Sequence, residues 1–458
     1  MMRAFSLAEA RDWTGARCAT QTLESVRFEG VSTDTRTLAQ GDLFVALRGE
    51  NFDGHRFLAR AQEAGAVAVV VDTEDPTVSI PQLVVEDTVE ALARLAEGNR
   101  NESRALLVAV TGSSGKTTVR EMTAAILSRM GSTLATEGNL NNHIGVPLTL
   151  FRLAPEHRFA AIELGASGLG EIAHTVAVAK PQVVILTNAG QAHLEGFGSY
   201  ENIVRAKGEI IEGVSEGGLV VLNRDDPAFD QWLERAGERR VVSVSRLGHP
   251  EADYRTVDVT VSGAGQQLSV TGPEGWSCEL HLSMPGEHNR SNALMAIAAT
   301  RELGVTNEQL EQGLAGVRSV KGRLQTLELG RGLTLIDDSY NANPASMKAA
   351  VAVLAERAGQ RLAVFGAMAE LGPDARSLHA EVGAAAKERG IDRLLVVGPG
   401  CEGYVDGFGS ETEQFPTHEA AVNAIVSTLD SETTVLVKGS RSSAMDRVVE
   451  GIKEKVNN

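Results

Sequence analysis

Cysteine is scarce: the 458 residues hold three, Cys18, Cys278 and Cys401. They lie far apart, and none has a partner at metal-ligand spacing. That excludes a disulfide framework and a cysteine metal site, and predicts reduced thiols in a cytoplasmic chain. Positive charge is also short, with 43 Lys+Arg against 60 Asp+Glu and a formal charge of −17. Broad binding of nucleic acid, which draws on cations neutralising phosphates, is therefore excluded. A small anionic ligand is not, because it needs only local cations and helix N-termini. Long apolar runs are missing too. Residues 66–71 and 183–186 are far too short to cross a bilayer, and the N-terminal MMRAFSLAEARDW has no signal-peptide core, so no membrane insertion is expected. There is no short-period repeat, low-complexity tail or sustained heptad, and monomer is the expectation.

What is present is a globular composition, 43% hydrophobic and 22% charged, which a disordered or collagen-like chain does not have. At roughly 150 residues per domain the length predicts about three units. Residues 1–86 carry β-like runs at 43–47, 67–71 and 83–85 around a helical pattern at 57–64, which reads as a small α/β module. A helix over 89–97 then runs into the polar stretch GNRNESR.

Residues 87–316 read as a central unit. A strand at 105–110, a glycine-rich turn and a helix from Thr117 precede buried-strand candidates at 159–162, 183–186, 219–222 and 241–244. Such runs between helices predict a parallel sheet covered on both faces. Residues 254–282 alternate and break at GAG (263–265) and GPEG (272–275), which predicts an antiparallel edge hairpin. Helical patterns follow at 289–303 and 307–314. After the connector SVKGR, residues 317–458 alternate strands at 333–336, 362–365, 394–397 and 435–437 with helices, a Rossmann-like unit. The expected fold is α/β in three domains.

The strongest chemical motif is Thr111-Gly112-Ser113-Ser114-Gly115-Lys116-Thr117-Thr118. Its glycines let backbone N–H groups curl around phosphate oxygens, Lys116 supplies a point charge, and Thr117 is placed to ligate Mg²⁺. The longer phosphate-loop pattern needs glycine where Val110 stands, so this is a shortened variant. Glu163 ends the run FAAIEL, His193 follows VVILTN, and Lys207 lies in ENIVRAKGEI. A carboxylate at a strand end beside a phosphate loop can share Mg²⁺ with a nucleotide, and His193 can ligate or orient a ligand. Each has a plainer reading: a helix-capping acid, a surface histidine, a solvated helix lysine. Asn139, Asn141 and Asn142 suit a sugar or peptide amide, and equally suit turns. In the last unit DDSYNANP leads from a strand to a helix, with Asn343 as N-cap and Pro344 in the first turn. Lys438-Gly439-Ser440-Arg441 follows another strand and makes a local anion site in an acidic chain.

The ordered series TGSSGKTT, GNLNNHIGVP, IELGAS, AHLEGFGS, AKGEI, PGEHNRSNALMA, KGR, DDSYNANP, GAMAELG and KGSR, with VSTDTR before it, resembles the Mur ligase family of peptidoglycan synthesis. The resemblance spans nearly the whole chain and implies three domains. It implies ATP-dependent amide ligation through an acyl phosphate, with UDP-N-acetylmuramoyl-tripeptide and D-alanyl-D-alanine as substrates. GNLNNHIGVP and DDSYNANP favour this over a sister ligase or folylpolyglutamate-type synthase adding one amino acid. A non-ligating nucleotide switch is the alternative from another class.

Carried onto these positions, the resemblance implies that Gly112, Ser113, Ser114, Gly115, Lys116, Thr117 and Thr118 hold ATP phosphates. Thr117, Glu163, His193 and Lys207 attend Mg²⁺, with a CO₂-derived carbamate on Lys207. Lys116, Glu163, His193 and Lys207 form the catalytic set. Asn289 meets adenine, Asp338 the ribose and Arg323 a phosphate. Ser32, Thr33, Asp34 and Arg36 meet the uridine end of the substrate, and the asparagine stretch its sugar and peptide. Lys438, Ser440 and Arg441 are assigned to the incoming dipeptide. Ala367 departs from the family pattern, where aspartate is expected, and carries no role.

Overall fold

A computed structural model describes residues 2–18, 23–49, 52–262, 265–330, 332–429 and 432–457. The N-terminal unit rests on four parallel strands, ordered Val31–Ser32, Leu43–Val45, Ala68–Val71 and Gln82–Val84. Ala68–Val71 is buried at every position, as its unbroken β-branched run requires. Asp87 accepts from Val89 N and Glu90 N and so starts the helix Thr88–Glu102. This helix runs through the polar stretch expected to end it. Asn99 and Arg100 are buried there because they serve carbonyls that other helix ends leave free. Asn99 Nδ2 donates to Leu150 O at 2.8 Å, and Arg100 Nε donates to Ala179 O at 2.8 Å.

The central sheet has nine strands in the order Thr133–Ala135, Phe159–Glu163, Leu106–Thr111, Val183–Leu186, Leu219–Asn223, Arg240–Ser245, Tyr254–Ser262, Gly265–Thr271 and Ser277–Leu282. The first seven run parallel and the last two complete an antiparallel meander. The expected hairpin is thus three strands, the first joining the parallel sheet through Val244 and Tyr254. Of its expected GAG turn, Gly263 and Ala264 lie outside the described residues. The chain departs from Leu106–Thr111 first to one side and then to the other. The crevice at the C-terminal ends of Phe159–Glu163, Leu106–Thr111 and Val183–Leu186 is therefore a topological switch point, where open α/β sheets take ligands.

The C-terminal unit is a six-stranded sheet ordered Gln325–Glu328, Leu333–Asp338, Thr433–Lys438, Gln360–Gly366, Arg393–Val397 and Glu413–Phe415. Its first pair is antiparallel and the others are parallel. One apolar cluster runs from Phe5 and Leu7 through Leu92 and Leu95 to Ile162, Leu186 and Trp232, joining the N-terminal and central units. The C-terminal unit has its own clusters, one on each face of its sheet.

Candidate active site

The phosphate loop follows Leu106–Thr111 and opens the helix Lys116–Leu127. Gly112 has φ 145°, and a Cβ there would sit 1.9 Å from Thr187 Oγ1. Gly115 has φ 81°, and a Cβ there would sit 2.5 Å from Asn292 Oδ1. Neither position accepts a side chain. The loop is laced to the end of the next strand: Ser113 N donates to Asn188 O and Ser114 N to Asn188 Oδ1, both at 3.0 Å. Lys116 Nζ donates to Gly112 O at 2.8 Å. Burial holds its pKa below the ordinary lysine value, with Glu163 pulling the other way.

Glu163 ends its strand with 2% of its surface exposed, so it caps no helix. Its Oε2 accepts from Thr117 Oγ1 and its Oε1 from Asn141 Nδ2, each at 2.8 Å. Arg120 Nε lies 3.8 Å from Oε2. Asn142 follows its turn reading, accepting from Gly145 N at 2.8 Å. Asn141 takes the site instead, and Asn139 lines the cleft beside both.

Lys207, on the helix Tyr200–Glu212, is 1% exposed and no solvated helix lysine. Its Nζ donates to Ala166 O at 3.1 Å. Burial first, and then the Lys116 charge, push its pKa down to about 7. His193 has φ 56° and is bonded through Nδ1 to Glu370 of the C-terminal unit.

From that unit Asp338 Oδ1 accepts from Leu324 N at 3.0 Å, and its Oδ2 lies 2.7 Å from Lys438 Nζ. Burial pushes the Asp338 carboxyl up, while the Lys438 ammonium pulls it back. Lys438 also donates to Asn341 O at 2.8 Å. The Arg323 guanidinium lies 4.2 Å from the centre of the Tyr340 ring. Buried Asn289 accepts from Asn292 Nδ2 at 3.0 Å. Asn343 caps its helix as expected and also reaches Ser114 Oγ at 3.2 Å.

These groups line one cleft of about 1210 Å³, which brings together Ser113–Thr118, the asparagines, Glu163, His193, Asn289, Arg323, Asp338, Lys438, Ser440 and Arg441. Lys207 is buried behind Ala166, which lines the cleft. Ser32, Thr33, Asp34 and Arg36 stand on the N-terminal unit and are not among the lining residues. Arg36 there donates to both Asp34 carboxylate oxygens and holds that carboxyl at about 2. Sequence reasoning missed Asn188, Asn292 and Glu370. The second asparagine of HNRSN, one helical turn from Asn289, was a signal for Asn292.

Among the described residues no three His, Cys, Asp or Glu side chains gather as a metal cage. The hard oxygens of Thr117 and Glu163 suit Mg²⁺, which commonly takes one or two protein oxygens and completes its shell with phosphates and water.

A shortened phosphate loop at the switch point of a parallel sheet, faced by a second doubly wound unit, defines a nucleotide-using α/β enzyme of three units. Residues 27–100 match the Mur ligase family catalytic domain, 110–300 the Mur ligase middle domain and 322–441 the Mur ligase glutamate ligase domain. The chain belongs to the Mur ligase family. It is 44% identical to the UDP-N-acetylmuramoyl-tripeptide--D-alanyl-D-alanine ligase of Escherichia coli K12, over 94% of each chain. A crystal structure of MurF from Acinetobacter baumannii superposes with TM-score 0.93 at 32% identity, covering 99% of each chain. MurF ligase from Thermotoga maritima, solved in complex with ADP, gives 0.84 at 29% identity over 93% of this chain and 97% of that one.

Proposed function

We propose that this chain is the ATP-dependent ligase that joins D-alanyl-D-alanine to UDP-N-acetylmuramoyl-tripeptide, making the pentapeptide precursor of peptidoglycan. The observation that carries this reading is the buried bridge Thr117–Glu163–Asn141, which ties the phosphate loop to the asparagine stretch in a cleft shared with the C-terminal unit. The identity to curated ligases selects this chemistry within the family.

A free carboxylate has no usable leaving group, and phosphorylation supplies one. The terminal carboxylate oxygen of the tripeptide attacks the γ-phosphorus of ATP, the bond to ADP breaks, and an acyl phosphate forms. The dipeptide amine then attacks the acyl carbon, its nitrogen sheds a proton, and inorganic phosphate leaves. Gly112–Thr118 hold the phosphates, and Lys116 swings from the Gly112 carbonyl to the transferring phosphoryl. Asn289, Asp338 and Arg323 receive adenine, ribose and phosphate. Thr117, Glu163, His193 and Lys207 attend Mg²⁺, which when bound offsets the repulsion between two anionic reactants. With its pKa lowered to about 7, Lys207 has a substantial neutral fraction near neutral pH, and that neutral amine can add CO₂ and release a proton, leaving a carbamate anion.

Residues 1–86, through Ser32 to Arg36, take the UDP-sugar end, and residues 87–316 take ATP. Residues 317–458 take the dipeptide through Lys438, Ser440 and Arg441. We place the enzyme in the cytoplasm as a monomer without membrane insertion. Among the described residues no helix is long and apolar enough to cross a bilayer. Phosphate release that requires the UDP-tripeptide and D-alanyl-D-alanine together is the expected result. Release with one free amino acid moves the chain to a sister enzyme, and ATP binding without release makes it a switch.

A further inference from the structure

His193 and Glu370 meet across the boundary between the central and C-terminal units. His193 Nδ1 is bonded to a Glu370 carboxylate oxygen, and Glu195 N donates to Glu370 O at 3.1 Å. Both residues stand in the left-handed region, His193 at φ 56° and Glu370 at φ 60°. Residues other than glycine adopt that region at a cost, because of their Cβ, so two such residues facing each other mark a geometry the fold enforces.

The Glu370 loop is pinned from below. Tyr404 Oη donates to Gly366 O at 3.1 Å, and His379 Nε2 accepts from Met368 N at 2.9 Å. Ala367 O, between them, accepts from Ser440 Oγ at 2.7 Å and Ser440 N at 3.1 Å. His379 Nδ1 donates to Ala375 O at 2.6 Å, and its ring stacks edge-on to Tyr404 at 4.6 Å. The loop is thus a rigid arm reaching from the C-terminal sheet to the phosphate side of the cleft.

We propose that Glu370 is a positioning residue for the ligation, brought by the C-terminal unit to hold His193 by Nδ1 and leave Nε2 for the cleft that both residues line. A carboxylate on one ring nitrogen fixes the tautomer and orientation of the imidazole, so that the other nitrogen carries the free lone pair. His193 is then competent only while the two units meet. The inference rests on His193 acting at the phosphoryl site. As an ion pair alone the contact contributes little, because Glu370 is half exposed.

The test uses the full-length enzyme with Glu370→Ala, Glu370→Gln, His193→Ala and the double variant Glu370→Ala/His193→Ala. Steady-state ligation is measured alongside Mn²⁺ binding, the latter by electron paramagnetic resonance with a non-hydrolysable ATP analogue. Glu370→Ala is expected to lower kcat by about 10–100-fold and to weaken Mn²⁺ binding by about 10-fold. KM for ATP and the melting temperature should stay near wild type. Glu370→Gln, which keeps an acceptor for Nδ1–H, should recover most of both losses. In the His193→Ala background, Glu370→Ala should cost nothing further. Wild-type Mn²⁺ affinity in Glu370→Ala, failure of Glu370→Gln to recover, or a full additional loss in the double variant each overturns the proposal. Wild-type activity in His193→Ala overturns instead the underlying assignment of His193.

Discussion

Lys207 Nζ lies 5.0 Å from the centre of the Phe197 ring and donates to the Ala166 carbonyl at 3.1 Å, with 1% of the residue exposed. Phe197 closes the turn of helix that begins after His193, so the lysine and histidine positions are set by one packing unit. Lys207→Ala is expected to lose at least about 100-fold in kcat, and added short-chain carboxylates should restore part of it by standing in for the carbamate. No loss, or no restoration, removes that role. The folded pKa of about 7 lies below the ordinary 10.5. Below pH 7 both folded and unfolded lysine are protonated, and the full burial cost is present. Between pH 7 and 10.5 the unfolded chain binds more protons, so stability rises with pH. In CO₂-free buffer, wild type should therefore gain on Lys207→Met across that window, by an amount on the order of a few kcal/mol. Urea melts at pH 6 and 9.5 measure it.

Glu163 is the junction of three segments, through Thr117, Asn141 and the Thr136 hydroxyl that accepts from its own N–H at 3.0 Å. Glu163→Gln keeps the shape and removes the charge. It should leave the melting temperature nearly unchanged, raise the Mg²⁺ requirement and cut kcat by about 100-fold or more. Glu163→Ala additionally strands the Thr117 hydroxyl and the Asn141 amide, costing about 1–3 kcal/mol of stability. Equal melting temperatures for the two variants would count against the bridge.

Much of this was legible because it depends on short-range pattern. The phosphate loop needs glycines at fixed offsets, and the parallel strands are unbroken β-branched runs. The helix past Glu97 was not legible, because Asn99 and Arg100 read as loop residues until Leu150 O and Ala179 O, more than fifty residues on, are placed beside them. Lys207 was a candidate from its motif, but its burial was illegible for the same reason: what distinguishes a buried lysine from a solvated one is the Phe197 ring and the Ala166 carbonyl. Glu370 lies in GAMAELG, a motif visible in the sequence, yet its partner is 177 positions away.

The continuous apolar cluster through Leu92 and Leu95 makes the N-terminal and central units one packed body. The second connector is different. Gly322 and Leu324, flanking Arg323, hold φ 75° and 50°, and the C-terminal unit keeps its own cores. Polar contacts such as Asn343 to Ser114 cross that boundary. Closure is therefore expected to rotate the C-terminal unit about residues 317–324 and leave the first two units fixed. Fluorescent label pairs should show a changed central-to-C-terminal distance on adding ATP analogue and UDP-tripeptide, and an unchanged N-terminal-to-central distance. Superimposable scattering profiles with and without ligands would sink it.

Lys438 and Arg441 were both assigned to the dipeptide, and their surroundings separate them. Lys438 is 2% exposed, with its charge matched by Asp338 at 2.7 Å and a further bond to Asn341 O. Removing it leaves a buried carboxylate without its cation, a change that costs about 3–5 kcal/mol. The Arg441 side chain is 73% exposed, with Asp446 at 3.8 Å its weak partner. Arg441→Ala should leave stability within about 0.5 kcal/mol and raise KM for D-alanyl-D-alanine by about 10-fold, with KM for ATP unchanged. Lys438→Met should destabilise the fold and raise KM for ATP, because the carboxylate it holds is the one assigned to the ribose. If Lys438→Met instead raises only the dipeptide KM at wild-type stability, the ammonium is a substrate cation, and Asp338 does not depend on it.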